Sequence, residues 1–148
     1  MRESTSAAAS KCAAGTLRRA TRSIVRVYDA RLADSGLTST QFSLLRAIGR
    51  RDGPVLLTEI AEELVFERTS LYRTLEPLAR DGLVVVTNAA PRAKQVALTA
   101  KGIRRVEKAL PLWQAAQEDF VGRFGRAAWN EFAAQLAEIV EIARDMPA

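Results

Sequence analysis

Histidine is missing from this chain, and cysteine appears once, as Cys12. Without imidazole there can be no Ser-His-Asp triad, no histidine general base and no zinc site of the imidazole type. A single thiol excludes an intramolecular disulfide and a multi-thiolate metal site, and it suits a reducing cytoplasm. Neither a GxGxxG fingerprint nor a Walker A loop occurs, so nothing signals a nucleotide cofactor. No uninterrupted apolar run reaches the length of a bilayer span, and the polar, Ala/Ser-rich stretch from Met1 to Ser10 lacks the apolar centre of a signal peptide. These gaps point to a soluble cytoplasmic protein that is not an enzyme and uses no metal or cofactor.

The composition that remains is globular, with an uneven charge. The 148 residues are 48% hydrophobic and 26% charged, which suits one compact domain with appended helices rather than disorder. A core of this size gains further burial from a partner subunit. The formal net charge is +5. Residues 1–51 hold ten Lys and Arg against three Asp and Glu, whereas residues 52–148 hold twelve against fourteen. A basic excess favours polyanions, chiefly nucleic acid or anionic lipid.

Along the chain, residues 1–10 read as a flexible tail. Leu17, Ala20, Ile24, Val27 and Arg31 recur at steps of three or four, which predicts a helix from Lys11 to about Leu32, stopped by Asp34-Ser35-Gly36. Arg18, Arg22 and Arg26 share one face of it. Thr38 or Thr40 can cap a helix from Gln41 to about Arg50, with Phe42, Leu44, Leu45 and Ile48 inward. After the turn Asp52-Gly53-Pro54, Val55-Leu56-Leu57 reads as a short strand, and Thr58 as the cap of a helix from Glu59 to Leu64. A turn at Val65-Phe66 leads to a helix from about Glu67 to Arg80 with Leu71, Leu75 and Leu78 inward. Asp81-Gly82 ends it. Leu83–Thr87 and Lys94–Leu98 form a hairpin whose turn, Asn88 to Ala93, carries Arg92. Thr99 caps a helix that Pro111 should kink and that ends near Gly122 and Gly125. Trp129, Phe132, Leu136, Ile139 and Ala143 mark a last helix, and two such seams call for packing against other helices.

Helix, short strand, helix, tight turn, helix and hairpin, in that order, make a winged helix-turn-helix. The fold class is therefore mainly α with a small β-wing. The helix from Glu67 is narrow enough for a DNA major groove, and its predecessor braces it through apolar contacts. Arg68, Thr69, Ser70, Tyr72 and Arg73 are its candidates for reaching base edges or phosphates. Arg92 at the hairpin tip suits a minor groove, with Lys94 as a second cation beside it.

The residues also resemble a known family, the MarR regulators, from about Cys12 to Ala143. The segment LTSTQFSLLRAI (37–48) is similar to the family's second helix, LTEIAEELVFERTSLYRTLEPLARDGLV (57–84) to its helix-turn-helix, and VALTAKG (96–102) to the end of its wing. ERTSLYRTLEPLARDGLV is close to a subgroup that accepts proline at the position of Pro77. The resemblance implies a homodimer on double-stranded, pseudo-palindromic operator DNA. Residues 11–34 and 100–148 would be dimerisation helices, and residues 37–99 the DNA-binding domain. It also implies a repressor that a small aromatic or phenolic ligand releases from DNA. The wing departs from the family pattern: Ala90, Pro91 and Arg92 stand where Asp-x-Arg is common, so the arginine is kept without its acid.

Three signals are open at this point. A ligand pocket could draw on Arg22, Arg26, Tyr28, Phe42, Leu45 and Trp113, since arginine beside aromatic surface suits an aromatic carboxylate. Cys12 could be oxidised, with Arg18 and Arg19 close enough in sequence to favour the thiolate. The protein could also respond to no small molecule. A helical protein-interaction module is the alternative class, although it leaves the wing and the Arg68–Arg73 face without a use.

Overall fold

The computed structural model describes residues 12–147, so the expected tail at 1–10 lies outside the described residues. The chain divides into two compact units, residues 1–113 and 114–148.

In the first unit, helix α1 (Ala13–Leu32) starts at Cys12, whose Sγ accepts from the Gly15 N–H at 3.4 Å. A 3-10 turn (Ala33–Ser35) then closes at Gly36, which sits at φ +74°. Helix α2 (Ser39–Gly49) begins two residues earlier than the pattern suggests. The reason is a complete capping box: Thr38 Oγ1 accepts from Gln41 N, and Gln41 Oε1 accepts from Thr38 N. Thr38, not Thr40, is thus the cap. Ser39 N donates to Asp29 Oδ1 at 2.7 Å, tying α1 to α2.

Strand β1 (Val55–Leu56) is followed at once by helix α3 (Leu57–Leu64). The expected cap at Thr58 is therefore wrong, because Leu57 is drawn into the core and is already helical. Leu56 stands at the N-cap without a side-chain bond. The turn out of α3 places Val65 at φ 54°, the one non-glycine at positive φ among the described residues. Phe66 N reaches Ala61 O at 2.8 Å and Val65 N reaches Glu62 O at 3.3 Å, the paired bonds of a Schellman motif. A β-branched residue in this conformation costs on the order of 1 kcal/mol, and the motif's hydrogen bonds offset that cost.

Helix α4 (Arg68–Arg80) buries Leu71, Leu75 and Leu78 and accommodates Pro77 in its last turns. Gly82, at φ +73°, repeats the same terminating motif: Leu83 N bonds Leu78 O and Gly82 N bonds Ala79 O. Strands β2 (Val84–Ala90) and β3 (Ala93–Leu98) pair antiparallel, and β1 adds to the other side of β3, giving the order β1-β3-β2. The hairpin is longer than its β-branched residues suggest. Pairing continues past a bulge at Asn88/Ala90 to Ala90↔Ala93, so the turn narrows from the expected six residues to Pro91-Arg92. Helix α5 (Ala100–Phe124) runs continuously through Pro111.

The core of this unit gathers Leu32, Phe42, Leu44, Leu45 and Ile48 from the first two helices with Ile60, Leu71, Leu75 and Leu78 from the next two, closed by Leu83, Val84 and Val96 of the sheet. Each fully buried leucine or isoleucine contributes roughly 1.5–3 kcal/mol. The wing's base is locked by close backbone approach. Thr99 Oγ1 donates to Gly82 O, and a Cβ on Gly102 would lie 2.0 Å from the Leu83 carbonyl oxygen.

In the second unit, the end of α5 and helix α6 (Arg126–Asp145) are joined by Gly125 at φ +98°. Trp129 meets Phe120 and Phe124 edge-on at 5.3 and 5.8 Å, and Phe132 stacks on Phe124 at 5.8 Å. No residue of α6 is buried within the single chain. Among the described residues, no helix is long and apolar enough to cross a membrane.

The Gly102 contact predicts that Gly102→Ala lowers stability by about 2–3 kcal/mol, since the obstructing atom is backbone and cannot rotate away. The check is a urea titration, expected to show a lower midpoint with an unchanged slope. A wild-type midpoint would mean that the junction of β2, β3 and α5 yields freely.

Candidate nucleic-acid interface

The buried leucines of α4 dictate which of its residues face water. With Leu71, Leu75 and Leu78 inward, Arg68, Thr69, Ser70 and Arg73 are exposed. Tyr72 is different. Its ring is half-buried and packs against the core, so it is not wholly on the outer face assigned to it from periodicity. Arg68 lies one turn earlier on the same side of the helix, with its guanidinium carbon 5.8 Å from the Tyr72 ring centre. Lys94 approaches the ring from β3, its Nζ at 5.9 Å.

The register of the wing explains how Lys94 arrives there. Ala90↔Ala93 and Asn88↔Lys94 pair across the hairpin, which leaves Pro91 and Arg92 as its exposed tip. A groove of about 180 Å³ lies between the wing, α3 and the start of α4. Leu56, Leu57, Ala61 and Leu71 contribute its apolar lining, and Arg68, Tyr72, Arg92 and Lys94 also line it. Four of the seven sequence-predicted residues therefore meet at one place. Thr69, Ser70 and Arg73 are not part of that lining and stand exposed on α4.

Several other cations of the chain are held by carboxylates. Arg50 and Arg51 both bond Glu63, at 2.7 and 2.6 Å, Arg123 bonds Asp119, and Arg144 bonds Glu141. Within the described residues, no ion pair engages Arg68, Arg92 or Lys94. In particular, among the described residues no carboxylate pairs with Arg92 in place of the missing wing acid.

The residues proposed to line a ligand pocket are placed unevenly. Phe42 and Leu45 are core residues, at 1% and 0% exposure. Tyr28 is buried as well, and burial pushes its phenol pKa up. Phe42 and the half-buried Trp113 have ring centres 5.8 Å apart. Arg22 and Arg26 are exposed on α1. Arg26 lies in a shallow surface groove with Ser23, Val27, Ala30 and Arg31, apart from the aromatic pair. The arginine that does cover that pair is Arg46, 4.9 Å from Trp113 and 5.7 Å from Phe42. Its position four residues after Phe42 on α2 was the available signal. Cys12 is exposed at the start of α1. Among the described residues, no group of three or more His, Cys, Asp or Glu could hold a metal ion.

Residues 35–95 match the MarR family. No curated protein matches the chain. Among solved structures, the chain is similar to the transcriptional regulator MosR of M. tuberculosis in complex with DNA. The identity is 39%, over 90% of this chain and 97% of that one, with a TM-score of 0.82. It is also similar to the transcriptional repressor CouR bound to a 23-mer DNA duplex, at 29% identity over 88% and 94% of the two chains and a TM-score of 0.76. CouR, from Rhodococcus jostii, is also solved bound to p-coumaroyl-CoA. BpsR of Bordetella bronchiseptica, whose DNA binding 6-hydroxynicotinic acid regulates, shares the fold at 24% identity over 89% and 96% of the two chains, with a TM-score of 0.77. The match across the winged helix, together with 39% identity along nearly the whole of a DNA-bound regulator, makes this chain a member of the MarR family of DNA-binding transcriptional regulators, and not an enzyme.

Proposed function

We propose that the protein is a cytoplasmic repressor that binds a pseudo-palindromic operator as a homodimer and leaves it when a small aromatic ligand binds. The observation that carries the DNA-reading part is a set of cations, Arg68, Arg92 and Lys94, gathered where α4 meets the wing and without acidic partners among the described residues. In this reading Arg68, Thr69, Ser70 and Arg73 face the major groove, and Arg92 enters the adjacent minor groove. Residues 37–99 do the reading.

Dimerisation falls to residues 11–34 and 100–148. Support comes from apolar side chains left in water by the single chain. Phe132, Ile139 and Ile142 of α6 are 37%, 41% and 54% exposed, and Val27 of α1 is 47% exposed. A second copy is the partner that a two-fold operator requires.

For the signal, Arg46 over the Phe42–Trp113 pair is a better carboxylate anchor than Arg22 or Arg26. It is half-buried, and it lies over aromatic surface that a planar acid could share. The ligands named for related regulators, p-coumaroyl-CoA for CouR and 6-hydroxynicotinic acid for BpsR, support an aromatic class. A second reading, oxidation of Cys12, is favoured by its exposure and by the role of its sulfur as the cap of α1. Oxidation there would alter the start of a proposed dimerisation helix.

Three outcomes test these assignments. In titrations with DNA from upstream of the gene, Arg73→Ala is expected to weaken binding by about 1–3 kcal/mol with relaxed base preference. Arg92→Ala should weaken binding with less dependence on sequence. Unchanged affinity in both would remove the reading surface from α4 and the wing. Replacing Leu136 and Ile139 by glutamate should give monomers by light scattering, and a persisting dimer would move the interface elsewhere. Finally, 4-hydroxybenzoate should release operator DNA from the wild type and not from Arg46→Ala. Release by peroxide that Cys12→Ser abolishes would assign the signal to the thiol instead.

A further inference from the structure

Tyr72 is at once the least exposed of the residues assigned to the reading face and the one most surrounded by charge. Its ring is anchored by packing against the core. Arg68 comes to it from its own helix at 5.8 Å, and Lys94 from the wing at 5.9 Å, both within the range of about 6 Å over which a ring face attracts a cation. Neither cation has an ion pair among the described residues. The two belong to different elements, and Tyr72 is the side chain that meets both.

We propose that Tyr72 is a positioning residue: its ring is a shared platform that holds Arg68 of α4 and Lys94 of β3 at a fixed spacing, so that recognition helix and wing address DNA as one unit. The inference rests on the DNA-reading assignment above and adds a division of labour within it. Arginine and lysine lose much rotamer freedom when a phosphate immobilises them. Cations already held over a rigid ring lose less on binding. Tyr72 therefore acts through its neighbours, and its hydroxyl is dispensable.

The test uses Tyr72→Phe, which keeps the ring, and Tyr72→Leu, which keeps apolar packing without a ring. In the DNA-free protein, the Lys94 Hε resonances are expected upfield of their ordinary position through the ring current, retained in the phenylalanine variant and lost in the leucine variant. On operator DNA, Tyr72→Phe should bind within about twofold of wild type, whereas Tyr72→Leu should bind roughly five- to tenfold more weakly. The leucine variant should also show a shallower dependence on salt, because fewer phosphates are neutralised. Lys94→Met should cost affinity in the wild type and little in Tyr72→Leu. Thermal melts of the variants report whether the fold is intact. An unshifted Lys94 in the wild type overturns the platform whatever the DNA does. A phenylalanine variant as weak as the leucine variant overturns it in favour of a direct contact by the hydroxyl. A wild type with no preference for operator over scrambled DNA overturns the DNA-reading assignment, and the positioning role with it, while the Lys94 resonances still report the ring geometry.

Discussion

The exposed side of α4 is defined by what its other side cannot do, which is face water. Leu71, Leu75 and Leu78 are each buried to within 2% of their surface, and at roughly 1.5–3 kcal/mol apiece they outweigh any preference of the polar residues between them. A rotation of the helix about its axis would expose a leucine for every arginine it turned inward. The positions of Arg68, Thr69, Ser70 and Arg73 are thus consequences of the core rather than independent features. Substitutions on that face can change chemistry with little effect on the fold.

Burial sets the rotation of α4, but its ends are set by backbone geometry. The helix is bracketed by two chain reversals of the same kind, at Val65 and at Gly82, each closing a 6→1 hydrogen bond. Glycine at the second costs little. Valine at the first is held in a conformation unfavourable to it, while its side chain stays 62% exposed. The packing of Phe66 against the core, next in the chain, is the favourable contact that this turn enables. At the far end, Leu83 leads from the reversal directly into the wing, where Gly102 and Thr99 bring α5 against it. The distance from α4 to the wing is therefore fixed by short covalent connections and backbone contacts, which explains how Lys94 can reach a ring on α4.

Element order was legible from the residues alone, and so were the inward residues of two helices: Phe42, Leu44, Leu45 and Ile48 on α2, and the three leucines on α4. On α1 the expected stripe failed, since Tyr28 and Leu32 are the buried residues while Val27 and Arg31 stay exposed, and no residue of α6 is buried within the single chain. Boundaries were less legible. Thr58 has the chemistry of a cap, yet Leu57 is helical because the core pulls it in, and that pull comes from residues distant in sequence. The hairpin was underestimated because Asn88, Ala89 and Ala90 have poor strand propensity, whereas pairing to β3 depends on register. The site was legible as a list and not as a constellation. Periodicity placed Tyr72 outward with its neighbours. Only the folded wing reveals its half-burial and its two cations. Arg46 was overlooked although its spacing from Phe42 was a local signal, because the second ring it covers, Trp113, lies far away in sequence.

Net charge alone does not point to the groove proposed to face DNA. The basic excess lies in residues 1–51, yet Arg50 and Arg51 within it are both engaged by Glu63. The groove between α4 and the wing falls in the part of the chain with more acids than bases. What matters for a polyanion is the number of cations that can exchange small counterions for phosphates, because that exchange drives association. A guanidinium already bonded to a carboxylate has less to gain from a phosphate. Arg68, Arg92 and Lys94, with no such bond among the described residues and a polarisable ring between two of them, have more. It is the gathering of these three cations at one groove, rather than the overall balance of charge, that supports the proposed DNA surface.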